Sequence, residues 1–358
     1  MHNCSDDILR YHDDEVTLPK SERDGMRSRR DANRDRLKTG LKKAERQAPR
    51  EFKSQGSYAM KTMTQHPEKS YDVDDGVYFN ACDLMGARGA EMSSLDARQM
   101  VRDAVDDRSF KRAPEVRRNC VRVFYDAGYH VDMPTYRRVE TEDVLGRKSV
   151  HHELASAAWK RSDARDVTEW FENVNEKQSP DTENGRQLRR VTRLVKKFAK
   201  SRQSWEDQIL SGFGITVLIS ECYRADAERE DIALYETMLA MKTRLDLDLV
   251  LKHPLTPDET ITNGTDDAKA RFLRDKLAEA IESLQPLLEA ACERKTALRG
   301  WDKVFSTTFF IGRFKEAEEL KEQSVHGTNA LAAGILKSLA TSEEARAAVR
   351  KEGGGRYA

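Results

Sequence analysis

The sequence predicts an α+β protein, with a mixed-sheet core in its first half and a helical lobe in its second. Three observations lead there. Strand-like runs with a side-chain period of two lie between Tyr71 and Pro134, apolar residues recur at helical spacing from Arg186 onward, and the most linker-like stretch, Lys177 to Gly185, falls between them. At 358 residues the chain can fill two domains. The expected division is residues 1–180 for an N-terminal helix and the sheet core, 181–345 for the helical lobe, and 346–358 for a flexible tail.

Residues 1–17 are polar and read as a loosely held lead-in. Ser21 to Gln47 carries Met26, Leu37 and Leu41 amid dense alternating charge, the pattern of a solvated helix packed on the core. Its arginines also suit a nucleic-acid-binding arm, but Asp24, Asp31, Asp35 and Glu45 interrupt the positive charge. Tyr71 to Phe79 is expected as a strand, which puts Asp72 and Asp74 on one face and Val73 and Val77 on the other. A helix follows at Asp96 to Asp107, with Leu95, Met100, Val101 and Val105 as its buried side. Val121 to Tyr125, the turn Asp126-Ala127-Gly128 and Tyr129 to Pro134 form a hairpin whose second strand puts His130 and Asp132 on one face.

Val167, Trp170 and Phe171 mark a helix at Asp163 to Asn173. Arg186 to Arg202 contains eight basic residues and no acid, with Leu188, Val191, Leu194, Val195 and Phe198 as an apolar stripe, so one side should pack and the other be positive and solvated. Helices are then expected at Ile215 to Tyr223, Asp231 to Leu245, Ala268 to Ala291 and Gly300 to Ala317, with a loop at Pro254 to Thr265 and a core cluster of Trp301, Phe305, Phe309 and Phe310. From Arg350 the apolar pattern is lost, and Gly353, Gly354 and Gly355 precede Arg356-Tyr357-Ala358 in an end expected to be mobile.

Composition narrows the function classes. With 62 basic and 62 acidic residues the chain is not a general nucleic-acid coat. The five cysteines are scattered and lack a Cys-x-x-Cys, which argues against a disulfide framework or zinc knot and for a reducing cytoplasmic compartment. No signal peptide is expected, and Ile215 to Ile219, the most apolar stretch, is far short of the roughly 20 residues of a membrane helix. Gly212-Phe213-Gly214 lacks the third glycine of a dinucleotide fingerprint, and no P-loop lysine motif occurs.

The chemistry concentrates around Gly56-Ser57 and the acids. Gly56 lets the backbone turn closely, so that free amides and the Ser57 hydroxyl can cradle phosphate oxygens. Asp72 and Asp74 face one space, where a divalent cation with a taste for hard oxygen ligands, Mg²⁺ or Mn²⁺, relieves their repulsion. Asp132 can join them if the strands are neighbours, giving three acids for two ions about 4 Å apart, with Asp132 helping to deprotonate an attacking hydroxyl. Asp75 has the opposite parity and is expected to hydrogen-bond locally beside Gly76. His130 is expected to be structural, and His151-His152 to lie in a surface loop.

Gln55-Gly56-Ser57-Tyr58, Asp72-Val73-Asp74-Asp75-Gly76 and Tyr129-His130-Val131-Asp132-Met133-Pro134 resemble the bacterial cGAS/DncV-like nucleotidyltransferases, or CD-NTases. Asn184 to Arg190, Ser211-Gly212-Phe213 and Trp301 to Phe305 extend the resemblance over most of residues 50 to 310. It implies a polymerase-β-like nucleotidyltransferase core that makes cyclic di- or trinucleotides from ATP and a second NTP as an antiphage signal, acting through a downstream effector. It also implies nucleotide contacts at Gln55, Gly56, Ser57, Lys197 and Ser211, with Lys196 competing for the role of Lys197. Relatives act with ubiquitin-transfer-like enzymes that join the synthase's C-terminus to a target, a role the three glycines would suit. A monomer that needs no membrane is expected. The alternatives are a transferase that moves one NMP onto a small molecule, RNA or protein, and a catalytically silent nucleic-acid-binding protein.

Overall fold

The computed structural model describes residues 1–69, 71–86, 89–126, 128–142 and 146–325. They form two compact units, one of Leu18–Glu172 and one of Met1–Thr17 with the chain from Asn173 onward. Residues 1–17 are therefore not a loose lead-in to the sheet core. They form α1 (Ser5–Tyr11) and a π-helical turn (His12–Val16), whose Ile8, Tyr11, His12 and Val16 are buried in the helical unit. Four apolar or aromatic side chains in a polar sequence carry this packing, a signal too sparse for periodicity to show.

The sheet unit begins with α2 (Lys20–Lys43), which buries Met26, Leu37 and Leu41 in the sheet core. Four of its arginines are engaged inside the unit. Arg29 lies over the Tyr129 ring at 4.3 Å, and Arg30 reaches Ser54 and Arg36 reaches Asp107. Arg34 binds Asp75 through Nε at 2.7 Å and Nη2 at 2.5 Å, with Ser54 Oγ also donating to that carboxylate. Asp75, expected to bond locally, is instead clamped from a helix 41 residues away, because its parity turns it toward α2.

The strands are β1 (Glu51–Gln55), β2 (Tyr71–Asn80), β3 (Glu115–Val116), β4 (Val121–Phe124), β5 (Tyr129–Met133), β6 (Thr135–Glu142), β7 (Lys148–Ala155) and β8 (Trp159–Arg161). α3 (Gly56–Ala59) is a single turn after β1, α4 (Ser94–Val105) follows β2, and α5 (Ala164–Gln178) contains the division between the units. The sheet is mixed. β2 runs parallel to β5 over its first half and to β6 over its second, while β1–β2, β3–β4, β4–β5, β6–β7 and β7–β8 are antiparallel. β5 and β6 follow one another along β2, interrupted at Pro134, which has no N–H to donate but whose carbonyl accepts from Val77 N–H at 2.8 Å.

Val73, Val77, Phe79, Val121, Val123, Val131 and Met133 share a core with α2 and with Val101, Ala104 and Val105 of α4. Burial of these β-branched and aromatic side chains on one sheet face, at roughly 25 cal/mol per Å², fixes the strand register, since a one-residue slip would turn the apolar set outward. The opposite face carries the acids. His151 and His152 are on β7, not in a loop; His152 Nδ1 is 2.9 Å from Asp163.

The helical unit adds α6 (Gln187–Ala199), α7 (Gly212–Cys222), α8 (Glu230–Leu247), α9 (Ala268–Leu284), α10 (Arg294–Phe305) and α11 (Phe309–Val325). The expected single helix at Gly300 to Ala317 is two, broken where Ser306 takes a left-handed φ of 51°. α6 departs most from expectation: every residue except Lys197 is buried, its basic side included. The cost of burying Arg190 is met by Glu230 (Nη2 at 2.8 Å) and Asp181 (2.5 Å). Arg193 Nη1, which can only donate, approaches His12 Nε2 at 3.3 Å; Nδ1, 2.9 Å from Asp13, then carries the ring proton. Burial is the main cause that pushes His12 down to a pKa of about 4. The tail at Gly353 to Ala358 lies outside the described residues.

Candidate active site

Register builds the site. Asp72 pairs with His130 and Asp74 with Asp132 across the parallel β2–β5 ladder, Arg122 of β4 sits opposite Asp132, and Gln55 of β1 sits opposite Asp74. Directly opposed residues project to the same face. Gln55, Asp74, Asp132 and Arg122 thus make one row across four strands, with Asp72, His130 and Phe124 in the next.

Asp132 is buried and held by a two-pronged guanidinium contact, Arg122 Nε at 2.8 Å and Nη2 at 2.7 Å. Asp72 is exposed, 3.2 Å from His130 Nδ1 and 3.7 Å from Arg122 Nη2. Asp74 is partly accessible at the surface, but protein encloses its carboxyl group. Burial first, then the Asp132 and Asp72 carboxylates, push it up to a pKa of about 7. Such mutual repulsion among hard oxygen donors is what a divalent cation relieves, so the donor set suits a hard divalent cation. The fit is chemical and not yet geometric, since among the described residues no three acidic, His or Cys side chains converge as a preformed cation site. Asp132 faces Arg122 instead.

The turn after β1 is packed onto this row. Gly56 has φ of +61°, and a β-carbon there would overlap Asp74 Oδ2, so only glycine brings the turn so close to the acid. Ser57 follows in the single turn of α3. Gln55 is buried: Tyr136 Oη–H donates to its Oε1 at 3.0 Å, and its Nε2–H donates to Tyr78 Oη at 3.4 Å. Tyr78 donates onward to Asp163 Oδ1 at 3.1 Å, and the Tyr78 and Tyr136 rings stack at 4.5 Å. Arg165 lies over Tyr78 at 4.5 Å and ties Asp163 to Glu51. A side chain on Gly76 would overlap Gln55 Nε2. Gln55 therefore acts on the turn by anchoring it.

Asp72, Asp74, Asp132, Gly56 and Gln55 are brought together in the sheet unit; Lys197 and Ser211 belong to the helical unit. Ser211 Oγ accepts from Gly214 N–H at 3.1 Å as the N-cap of α7, which leaves its hydroxyl proton to donate. Lys196 lies alongside Gly212: a β-carbon there would be 3.7 Å from Lys196 Cε and 4.0 Å from Nζ. Burial, then Lys200 and Arg193, push Lys196 down to a pKa of about 7, whereas Lys197 lies near the carboxylate of Glu15. The sequence reading missed Arg122, though a hairpin with that turn pairs Arg122 with Asp132 and carried the signal. It also missed Tyr78, Tyr136 and Asp163, whose contacts join distant segments.

Residues 50–136 match the family model for the nucleotidyltransferase domain of cyclic GMP-AMP synthase DncV-like proteins. Among solved structures, Vibrio cholerae DncV, a cyclic AMP-GMP synthase in complex with nonhydrolyzable GTP, is 16% identical with a TM-score of 0.66, covering 85% of this chain and 96% of that one. CdnC of E. coli MS115-1 with ATP is 16% identical with a TM-score of 0.61, covering 85% and 98%. Escherichia coli DncV in its 3'-deoxy GTP bound form is 15% identical with a TM-score of 0.61, covering 81% and 92%. At these identities the structures speak for the fold, a nucleotidyltransferase sheet core with a helical C-terminal region. Residues 50–136 thus match a DncV-like nucleotidyltransferase domain, and the chain around them shares the fold of the DncV and CdnC structures.

Proposed function

We propose that the protein is a metal-dependent synthase that joins ATP and a second NTP into a cyclic di- or trinucleotide second messenger in antiphage defence. The observation that carries the reading is the row of carboxylates: Asp74 and Asp132 paired across β2 and β5, Asp72 beside them, and the Gly56 turn packed against Asp74. The likeness to structures of DncV with nonhydrolyzable GTP and of CdnC with ATP supports it.

In this reading Asp72, Asp74 and Asp132 hold two Mg²⁺ or Mn²⁺ ions, which when bound neutralise the triphosphate and favour ionisation of the attacking hydroxyl. The amides of the Gly56-Ser57 turn and the Ser57 hydroxyl bind phosphate oxygens, and Gln55 fixes that turn through Tyr78 and Tyr136. Asp132 helps take the proton of the incoming ribose hydroxyl as its oxygen bonds to the α-phosphorus and pyrophosphate departs. Lys197, with Lys196 as the competitor beside Gly212, and Ser211 are the proposed triphosphate contacts of the helical unit. The product acts through a downstream effector, and the C-terminal residues to Ala358 are the proposed handle for a ubiquitin-transfer-like enzyme.

The test is incubation of the purified protein with four NTPs and Mg²⁺ or Mn²⁺, with products identified by mass. A cyclic oligonucleotide supports the reading. A single NMP on an added acceptor, or no turnover at all, sinks it.

A further inference from the structure

Asp132 meets a cation that is already part of the chain. Arg122 comes from β4, directly opposite Asp132 in the antiparallel ladder, so its reach is set by strand pairing and not by a mobile loop. Nε and Nη2 take one oxygen each, at 2.8 and 2.7 Å, and Nη2 stands 3.7 Å from Asp72 as well. This fork is the strong form of the charge-assisted hydrogen bond. Among the described residues neither Asp72 nor Asp74 is gripped by such a fork.

A carboxylate gripped in this way is a poor ligand for a second cation. Mg²⁺ demands oxygen at about 2.0–2.1 Å in near-octahedral geometry. An ion so placed on Asp132 would stand within a few ångströms of the guanidinium and repel it, in a partly buried place where water screens the pair weakly. The absence of a converged three-acid site among the described residues is the geometric counterpart: Asp132 is turned to Arg122.

We propose that Arg122 is a tethered counter-cation of the acid row, which occupies Asp132 in the ligand-free protein and competes with the divalent ion for it. Metal entry at Asp132 is then coupled to release of Arg122, whose freed guanidinium can turn to an incoming phosphate. The protein alone thus holds the ion weakly. Arg122 is a positioning residue in this account, and the account rests on the reading of Asp72, Asp74 and Asp132 as the metal-holding set.

The probe is Mn²⁺ alone, titrated into the full chain without nucleotide and followed by calorimetry. Arg122→Gln removes the competitor and should tighten Mn²⁺ about 10-fold or more, the scale of one lost charge-assisted contact. Arg122→Lys, which keeps the charge without the fork, should fall between. In an Asp132→Asn background the Arg122→Gln gain should vanish. Unchanged or weaker Mn²⁺ binding in Arg122→Gln, or an equal gain without Asp132, overturns the proposal and leaves Arg122 as a residue that merely orients Asp132. Should Arg122→Gln not fold, the wild-type Arg122 Nε–H resonance reads the same event: it must move with the Mg²⁺ binding isotherm, and a resonance unmoved at saturating Mg²⁺ is decisive against. Neither readout needs turnover. A protein that makes cyclic product with no such change fails only this inference; one that shows the change and makes no product fails only the proposed activity.

Discussion

Gly76→Ala tests whether the buried network under the phosphate turn is as tight as it looks. The new methyl would overlap Gln55 Nε2, lie 3.0 Å from Gln55 Cδ and 2.8 Å from Tyr78 Cε2, so Gln55 has to leave its place between the two tyrosines. Its departure breaks the 3.0 Å bond from Tyr136 and the weak 3.4 Å bond to Tyr78, and it leaves buried polar atoms unmatched at about 1–3 kcal/mol. The strain of an added methyl in a packed site costs about 1–3 kcal/mol more. Together the loss should be about 2–6 kcal/mol. Equilibrium urea unfolding measures it, and hydrogen exchange of peptides covering residues 71–80 assigns it to β2. The same change in a Gln55→Ala background should cost less, since the clashing amide is gone and only the 2.8 Å approach to Tyr78 Cε2 is left. A loss within about 0.5 kcal/mol of zero, or the same loss with and without Gln55, refutes the packing argument.

Asp72→Asn and Asp74→Asn should each abolish synthesis with the fold intact, because each removes a proposed metal ligand and also relieves carboxylate repulsion; wild-type product yield in either would undo the metal assignment. The neighbouring lysines of α6 are separable by NTP affinity: the residue that meets the phosphates loses about 10- to 150-fold on truncation to Ala, and Lys197 is the proposed contact, with Lys196 beside Gly212 as its competitor. A loss confined to Lys197→Ala would favour the resemblance-based assignment. His12 predicts acid sensitivity: the unfolded chain takes its proton near pH 6.5 and the folded one not until about pH 4, so stability is full above pH 6.5 and falls as pH drops toward 4. About 2 kcal/mol should be gone by pH 5, and a His12→Gln variant whose urea midpoint falls just as much between pH 7 and 5 would contradict this.

Strand parity made part of the acid row legible, because a period of two assigns Asp72 and Asp74 to one side without any knowledge of neighbours, whereas Asp132 joins them only through the β2–β5 pairing. The same parity turned Asp75 away from the acids, yet its partner Arg34 could not be named, since nothing local links residues 41 positions apart. The basic helix α6 misled for a related reason. The eight positive charges of Arg186 to Arg202 read as solvated, and only Glu230 and Asp181, outside the helix, make burial of Arg190 tolerable. β6 and β7 escaped notice because His151, His152 and several charges interrupt their alternation, and strands whose burial is only partial leave a weak pattern.

The central claim is cyclic product formation at the carboxylate row. Wild-type protein given radiolabelled ATP, the other NTPs and Mn²⁺, then treated with phosphatase, should leave a resistant labelled species, since a cyclic nucleotide has no terminal phosphate to lose, and Asp74→Asn should leave none. Complete loss of label to phosphatase in the wild type, or a resistant species that persists in Asp74→Asn, would contradict the account.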